Sequence, residues 1–380
     1  MDFNFTEEQQ LLADTVQRFV RENYTFEKRR EILQSKDGWS RDIWNELASL
    51  GLTALNVPEA HGGLNAGPVD TMLVMNALGE GLLVEPFLGA VVLAPALIAS
   101  LGDDEAAGEL FPAIASGERI VIVAHQEPQT RGELDHVATR AEKSGDGYVL
   151  DGYKNVIAHG GAADELLITA RSSGETTDAA GISVFRVDPQ AAGVTVKSYR
   201  TIDGQSAADI DLTKVKVTAA SLVGAAGNAF AAIEAAHEIA LSAICAEAVG
   251  IMKAVNAATL DYTKNRKQFG QPIAKFQVLQ HRMADMFLQA EQATSMSYLA
   301  AIKCTDPDAT QRRRSLSAAK VVIGQAGRFI GQQAVQLHGG MGMTDELMVS
   351  HYFKRLTTVD LTFGDTDFHT QQFIAANTAA

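Results

Sequence analysis

The order of hydrophobic periods along the chain predicts an α+β protein with an N-terminal helical domain, a central β-barrel-like or sandwich domain and a C-terminal four-helix-bundle domain. Three observations carry the expectation. Apolar residues recur at helical spacing from Thr6 to about Ala115, switch towards a period of two from about Arg119, and return to helical spacing after Gly224. The boundaries drawn from these switches are 1–116, 117–224 and 225–380.

From Thr6 on, Leu11, Leu12, Val16, Phe19 and Val20 fall at helical spacing; Leu47 and Leu50 continue the pattern, with turns at Pro58, Gly62-Gly63 and Pro86. Pro86 to Leu101 is the longest apolar run; it is shorter than the roughly 20 residues a bilayer needs, and Pro95 interrupts it, so a buried helix pair is expected. The strands expected next are Ile120–Val123, Val137–Ala141, Tyr148–Leu150, Leu166–Ala170, Ile182–Val187 and Val215–Val217, with turns at Gly145-Asp146-Gly147 and Asp151-Gly152. Ala231 to Asn265 then reads as one long alanine-rich helix. No internal repeat or low-complexity tract interrupts this order.

The bulk numbers narrow the function classes. A chain of 380 residues, 46% hydrophobic and 21% charged, is globular and long enough for two or three domains. A formal net charge of −14 argues against nucleic-acid binding and against an anionic membrane surface, and no membrane insertion is expected. Cys245 and Cys304 are too few for a disulfide framework and lack metal-ligand spacing. The acidic, amphipathic opening MDFNFTEEQQ is unlike a signal or transit peptide, so a reducing cytoplasm is the expected location.

Two stretches stand out for chemistry. Arg266-Lys267-Gln268-Phe269-Gly270 offers a guanidinium, which grips a pyrophosphate through paired charge-assisted hydrogen bonds, beside a ring that can cover an adenine or ribose face. Gln336-Leu337-His338-Gly339-Gly340-Met341-Gly342, 70 residues on, places a side-chain amide ahead of two glycines that let a backbone approach a bulky ligand. The glycines do not follow a strand as Gly-x-Gly-x-x-Gly, which disfavours a Rossmann site.

Together these elements resemble the dinucleotide-binding parts of the acyl-CoA dehydrogenase flavoprotein family. The resemblance extends to Phe3–Val20, Trp44-Asn45-Glu46-Leu47-Ala48 with Gly51-Leu52, Pro58–Gly63, Glu127-Pro128 and Leu150–Asn155, in the family's order. It implies FAD as cofactor, an acyl-CoA thioester as substrate, and an electron-transfer flavoprotein or similar acceptor. It also implies a homo- or hetero-tetramer in which each flavin lies at a subunit interface. Carried over residue by residue, it assigns cofactor contacts to Arg266, Phe269, Gln277, Gln336, Gly339, Gly340, Thr366, Gln126 and Ile157.

The resemblance breaks at the catalytic base. Removal of an α-proton needs a carboxylate poised in a dry pocket. The family's C-terminal Glu position falls on Phe363, or on Gly364 after a one-residue shift, and the alternative position early in the long helix falls on Ala240 or Leu241. None of these accepts a proton. Two other carboxylates are candidates: Asp365, adjacent but shorter, and Glu247, the only charged residue between Ile239 and Met252. A carboxylate in so apolar a run is catalytic, is a buried partner of an arginine, or is simply exposed. Val156-Ile157-Ala158 lacks the aromatic and the hydroxyl usual beside the flavin, and Gln129–Asp135 replaces a small Gly-Ser-Asp turn. His281 and His338 read as satisfied helix or loop histidines.

The losses fall on the half of the site facing the chain's own flavin, while the half donated to a neighbour is kept. That asymmetry suggests a heteromer, and Phe363-Gly364-Asp365-Thr366-Asp367-Phe368-His369 resembles the ending of the small subunit of pimeloyl-CoA-type, two-subunit dehydrogenases. Three functions are therefore expected in this order: an acyl-CoA dehydrogenase subunit with Glu247 as base, a non-catalytic partner subunit that completes a cofactor site, and an oxygen-using flavin enzyme of the same fold.

Overall fold

The computed structural model describes residues 5–378. Helices open the chain: α1 (Glu7–Asn23), α2 (Phe26–Gln34), α3 (Arg41–Ser49), α4 (Pro68–Gly81), α5 (Ala94–Leu101) and α6 (Asp104–Ala115). Strands follow: β1 (Val121–Ala124), β2 (Arg140–Ser144), β3 (Gly147–Ala158), β4 (Glu165–Arg171), β5 (Ile182–Val187), β6 (Val194–Arg200), β7 (Ser206–Thr218) and β8 (Leu222–Val223). Helix α7 (Phe230–Asn265), the short hairpin β9 (Lys267–Gln268) and β10 (Gln271–Pro272), then α8 (Gln277–Lys303), α9 (Ala309–His338), α10 (Met348–Leu361) and α11 (Thr366–Thr378) complete it. This is the expected helix–strand–helix order.

Local sequence explains where the elements begin. Thr6 caps α1 by accepting from the Gln9 amide, and the Gln9 side chain returns the bond to the Thr6 amide. Helix α1 therefore starts at Glu7 rather than at Phe3, which lies outside the described residues. Ser40 and Asp103 cap α3 and α6 in the same way. The run from Pro86 to Leu101 is a correction: it is one continuous winding, not a helix pair. Leu88–Leu93 is π-helical and passes straight into α5, whose second residue is Pro95. No described helix is long and apolar enough to cross a membrane.

The chain gathers into two compact units. One comprises the chain up to Glu31, Pro68–Leu83 and the chain from Leu241 on; the other comprises Ile32–Gly67 and Val84–Ala240. In the first, α1 packs on α4, and α9 is the central helix against which α8, α10 and α11 lie. In the second, the strands form one sheet in the order β6-β7-β3-β2-β4-β5-β8, with β1 parallel to β4. Strands β2 and β4 meet at the single pair Arg140–Arg171, so the sheet divides into two antiparallel halves. The Tyr148 and Phe185 rings meet with centroids 5.0 Å apart between the halves, and β4 is buried along its whole length. That is the layered β core expected of a sandwich.

The expected strand at Val137–Ala141 is also corrected: β2 begins only at Arg140. The Val137 amide donates to the Thr176 carbonyl, and the amides of Ala138 and Thr139 donate to the Glu127 carboxylate. Donors taken by a side chain are lost to a ladder.

Candidate functional site

In the second unit, the two short motifs of the central domain converge. Lys154 on β3 is fully buried and donates to Glu127 Oε1 at 2.7 Å, to Thr169 Oγ1 at 3.1 Å and to the His125 carbonyl at 3.3 Å. Glu127 also takes the Thr139 hydroxyl at 2.7 Å. Burial pulls the Lys154 ammonium down to about 8, with Glu127 opposing. Burial works against the Glu127 carboxylate too, but Lys154 and the surrounding donors hold it below its usual range. The Glu127-Pro128 and Lys154 signatures are thus a buried ion pair that fixes β3 against the segment after β1. The Asn155 amide donates to the Gln126 carbonyl at 3.0 Å; of the two candidate cofactor contacts on this unit, Gln126 is exposed and Ile157 is buried.

Val156, where relatives place an aromatic, occupies a bulge. Lys154 pairs with Ile210 and Ile157 with Ala208, leaving one extra residue on β3, and Val156 takes φ +51°. A β-branched residue in the left-handed region is strained. Asp209 holds it there: its carboxylate accepts from the Val156 amide at 3.1 Å, the Tyr199 hydroxyl at 2.8 Å and the Tyr153 hydroxyl at 2.6 Å.

Beside this network His125 is buried, its Nδ1 3.0 Å from the Thr169 hydroxyl, its ring edge-on to His237 with centroids 5.2 Å apart. Burial lowers both histidines, His237 to about 4 and His125 well below its usual value, with His237 and Lys154 adding to the effect on His125. Both rings are neutral at pH 7. A histidine two residues before Glu127 and another three before Ala240 gave no signal in the sequence.

In the first unit, the carboxylate expected as base has an arginine partner. Arg355 on α10 donates Nε to Glu247 Oε1 at 2.6 Å and Nη2 to Oε2 at 2.9 Å, with only 8% of the Glu247 side chain and 12% of the Arg355 side chain exposed. This is the arginine-paired alternative left open by the sequence. Asp365 accepts from the Phe368 amide at 2.8 Å and so caps α11. Thr366 donates its hydroxyl to Asp360 at 2.6 Å.

The turn that would carry the family's C-terminal Glu is tied down from behind. Lys320 on α9, fully buried, donates to the carbonyls of Asp360 and Thr362 at 2.8 Å each and of Gly364 at 2.6 Å. His369 lies 2.9 Å from the Phe363 carbonyl and 3.2 Å from the Ser317 hydroxyl. Phe363 has φ +59° and Gly364 φ +95°. A Cβ at Gly364 would lie 2.5 Å from the Phe368 ring, so this position takes no side chain.

The two stretches that stand out in the sequence come together in the same unit. Arg266 follows α7 directly, and Gly339 caps α9. Tyr262 on α7 stacks on His338, the last residue of α9, with centroids 4.2 Å apart and planes at 27°, and its hydroxyl donates to the His338 carbonyl at 3.4 Å. Phe269 is 89% exposed in the β9–β10 turn and meets the Phe276 ring edge-on at 6.1 Å; Gln277 follows as the first residue of α8, also exposed. Arg266 and Gln336 are exposed, and among the described residues neither side chain has a hydrogen-bond or ion-pair partner. A Cβ at Gly340 would meet nothing within 4 Å. Packing within the chain therefore does not require a glycine there, and the open space suits something brought to it. An unpaired guanidinium, an amide and an exposed ring beside bare backbone are the donor set a dinucleotide needs.

Comparison with known proteins agrees in extent and order. The N-terminal, middle and C-terminal domain models of acyl-CoA dehydrogenase match residues 6–118, 123–215 and 227–377. The chain is similar to the acyl-CoA dehydrogenase FadE27 of Mycobacterium tuberculosis, 28% identical over 374 residues, covering 96% of this chain and 95% of that protein. It is similar to the NADH-dependent acryloyl-CoA reductase of Anaerotignum propionicum, 26% identical over 376 residues, covering 97% and 94%. Its fold matches a chain of the ChsE4-ChsE5 complex of Mycobacterium tuberculosis with TM-score 0.87 and 26% identity, each chain covered completely at 100%. Three domains in register along nearly its whole length make this chain a member of the acyl-CoA dehydrogenase family.

Proposed function

We propose that the chain is a subunit of a flavin-dependent acyl-CoA dehydrogenase assembly, acting as the partner that completes a cofactor site and leaving the base to a paralogous subunit. The observation that carries this reading is the Glu247–Arg355 pair. Both carboxylate oxygens are engaged by one guanidinium in a buried setting, and a base so held would have to give up charge-assisted hydrogen bonds each time it took a proton. Asp365 is spent on a helix cap, and Phe363, Gly364, Ala240 and Leu241 have no proton to exchange.

When bound, FAD would supply the acceptor for the hydride leaving the β-carbon of a CoA thioester. This chain's residues act on its binding. Arg266 neutralises and orients the pyrophosphate, Phe269 covers the adenosine end, and Gln336 with the Gly339-Gly340 backbone lines the approach. Gln126, Ile157, Gln277 and Thr366 are further candidate contacts. Electrons would leave through an electron-transfer flavoprotein or similar acceptor.

Exposed Val278, Phe287 and Leu288 on α8, at 62%, 58% and 57%, support assembly into an oligomer. A two-subunit system of the pimeloyl-CoA type, with this chain as its small subunit, fits the pattern, and relatedness to one chain of a two-component complex supports it. Cys245 and Cys304, both buried and neither in a disulfide, suit a reducing cytoplasm.

The test is the visible flavin spectrum of the chain purified alone and co-expressed with a paralogous subunit. The chain alone is expected to carry little flavin, and the co-expressed pair to carry FAD that bleaches on anaerobic addition of an acyl-CoA. One FAD per chain, bleached by substrate without a partner, would overturn the partner-subunit reading. Glu247→Gln would then be the variant that decides whether Glu247 is the base.

A further inference from the structure

We infer that Tyr262 and His338 are positioning residues for the dinucleotide site, forming one stacked joint that sets Arg266 and the Gln336–Gly340 segment at a fixed separation. The inference rests on the cofactor reading above and goes beyond it by naming what makes two arms, 70 residues apart in sequence, act on one ligand.

The geometry is that of a joint at the end of two helices. Tyr262 lies one turn before Arg266, whose amide donates to the Tyr262 carbonyl at 2.8 Å. The backbone that aims the guanidinium is thus bonded to the residue that stacks. On the other helix, His338 immediately precedes Gly339, and its Nδ1 lies 2.8 Å from the Ala334 carbonyl. Only an Nδ1–H can make that bond, so the bond fixes the tautomer and the ring's orientation on α9. Burial lowers the basicity of His338. The ring therefore stays neutral around pH 7 and puts no second cation beside Arg266.

The Tyr262 hydroxyl reaches the His338 carbonyl, the last one before the glycines, at 3.4 Å. At that length the bond is weak. The ring stack, with planes 27° apart, is the principal contact.

Arg266 and Gln336 have exposed side chains with no partner among the described residues, so nothing else in the chain sets their heads relative to each other. Long side chains on a loose backbone would lose their freedom when the ligand arrives. A rigid joint at their base removes part of that cost beforehand. A purely structural stack would support the helix ends equally well with any ligand or none. A positioning stack acts on the ligand that spans both arms.

The test compares FAD with FMN, which lacks the adenylate and its pyrophosphate link, by flavin-fluorescence titration of the flavin-free assembly. The proteins are wild type, Tyr262→Ala, His338→Ala, His338→Phe and Arg266→Ala, with melting temperatures recorded for each. Tyr262→Ala and His338→Ala are expected to weaken FAD about tenfold and FMN less than about twofold, while His338→Phe, which keeps a stacking ring, holds FAD within about threefold. If Tyr262→Ala fails to fold, Tyr262→Leu, which fills the space without an aromatic face, serves in its place beside His338→Ala. Equal losses for FAD and FMN, or no loss for FAD where Arg266→Ala does weaken it, would overturn the inference alone. Unchanged FAD affinity in Arg266→Ala would overturn the cofactor reading and the inference with it.

Discussion

Two regions of the same helical unit treat their polar groups in opposite ways. In the turn between α10 and α11, nearly every polar group is answered from within: Lys320 on three carbonyls, His369 between Phe363 and Ser317, Thr366 and Arg328 on Asp360, Asp365 on the α11 cap. Around Arg266 and Gln336 the side chains stand exposed and unanswered, and Gly340 faces empty space. A closed network is built for stability and an open one for a ligand. The turn is held from within the chain, while the side chains proposed to meet a dinucleotide stand exposed.

That contrast is most exposed to disproof at Lys320. Lys320→Met keeps the volume but strands three carbonyls, two of them in the turn itself, and is expected to cost about 3 kcal/mol in urea unfolding. A loss below about 0.5 kcal/mol, the range of an ordinary surface change, would mean the turn is not held from α9.

Acid should loosen the same network. Burial chiefly, with Lys320 nearby, lowers His369 from 6.5 to about 4 in the folded state; the Phe363 carbonyl, Asp365 and Asp360 oppose the shift. A histidine held neutral by folding lends stability that is complete above the unfolded value and is lost as pH falls through it towards the folded one. From about pH 6.5 to pH 5 this amounts to about 2 kcal/mol. Denaturant midpoints should fall over that window in the wild type and fall less in His369→Phe. Parallel curves would remove His369 from the account.

The smallest effects sharpen the comparison. Asp365→Ala loses a cap and should cost about 1 kcal/mol. Arg266→Ala should change stability by less than about 0.5 kcal/mol, because the side chain has no partner in the chain to lose. A destabilisation by Arg266→Ala larger than that of Asp365→Ala would reverse the assignment of closed and open regions.

Much of the fold was legible in advance, and the reason is local. The helix–strand–helix order follows from periodicity, and α7 begins one residue before its expected start and ends where expected, because its alanine-rich stretch has no internal breaker. Misreadings arose where a distant group intervened. The strand at Val137 was displaced because Glu127 and Thr176 take its amides. The π-helical entry to α5 has no signature in a run that is apolar at almost every position.

The candidate site divides the same way. The sequence by itself determined that the chain holds a guanidinium, a ring, an amide and a glycine pair in family order, and that the usual base positions are empty, because these are matters of residue identity. Only the tertiary structure shows what Glu247 is paired with. Its partner Arg355 is 108 residues away, and an apolar helix with one carboxylate reads the same whether that carboxylate meets an arginine or a substrate. The Tyr262–His338 stack, the Asp209 hold on Val156 and the Lys320 clamp were likewise invisible beforehand. Each joins residues whose sequence neighbours impose no constraint on them, and only chain folding brings the partners within reach.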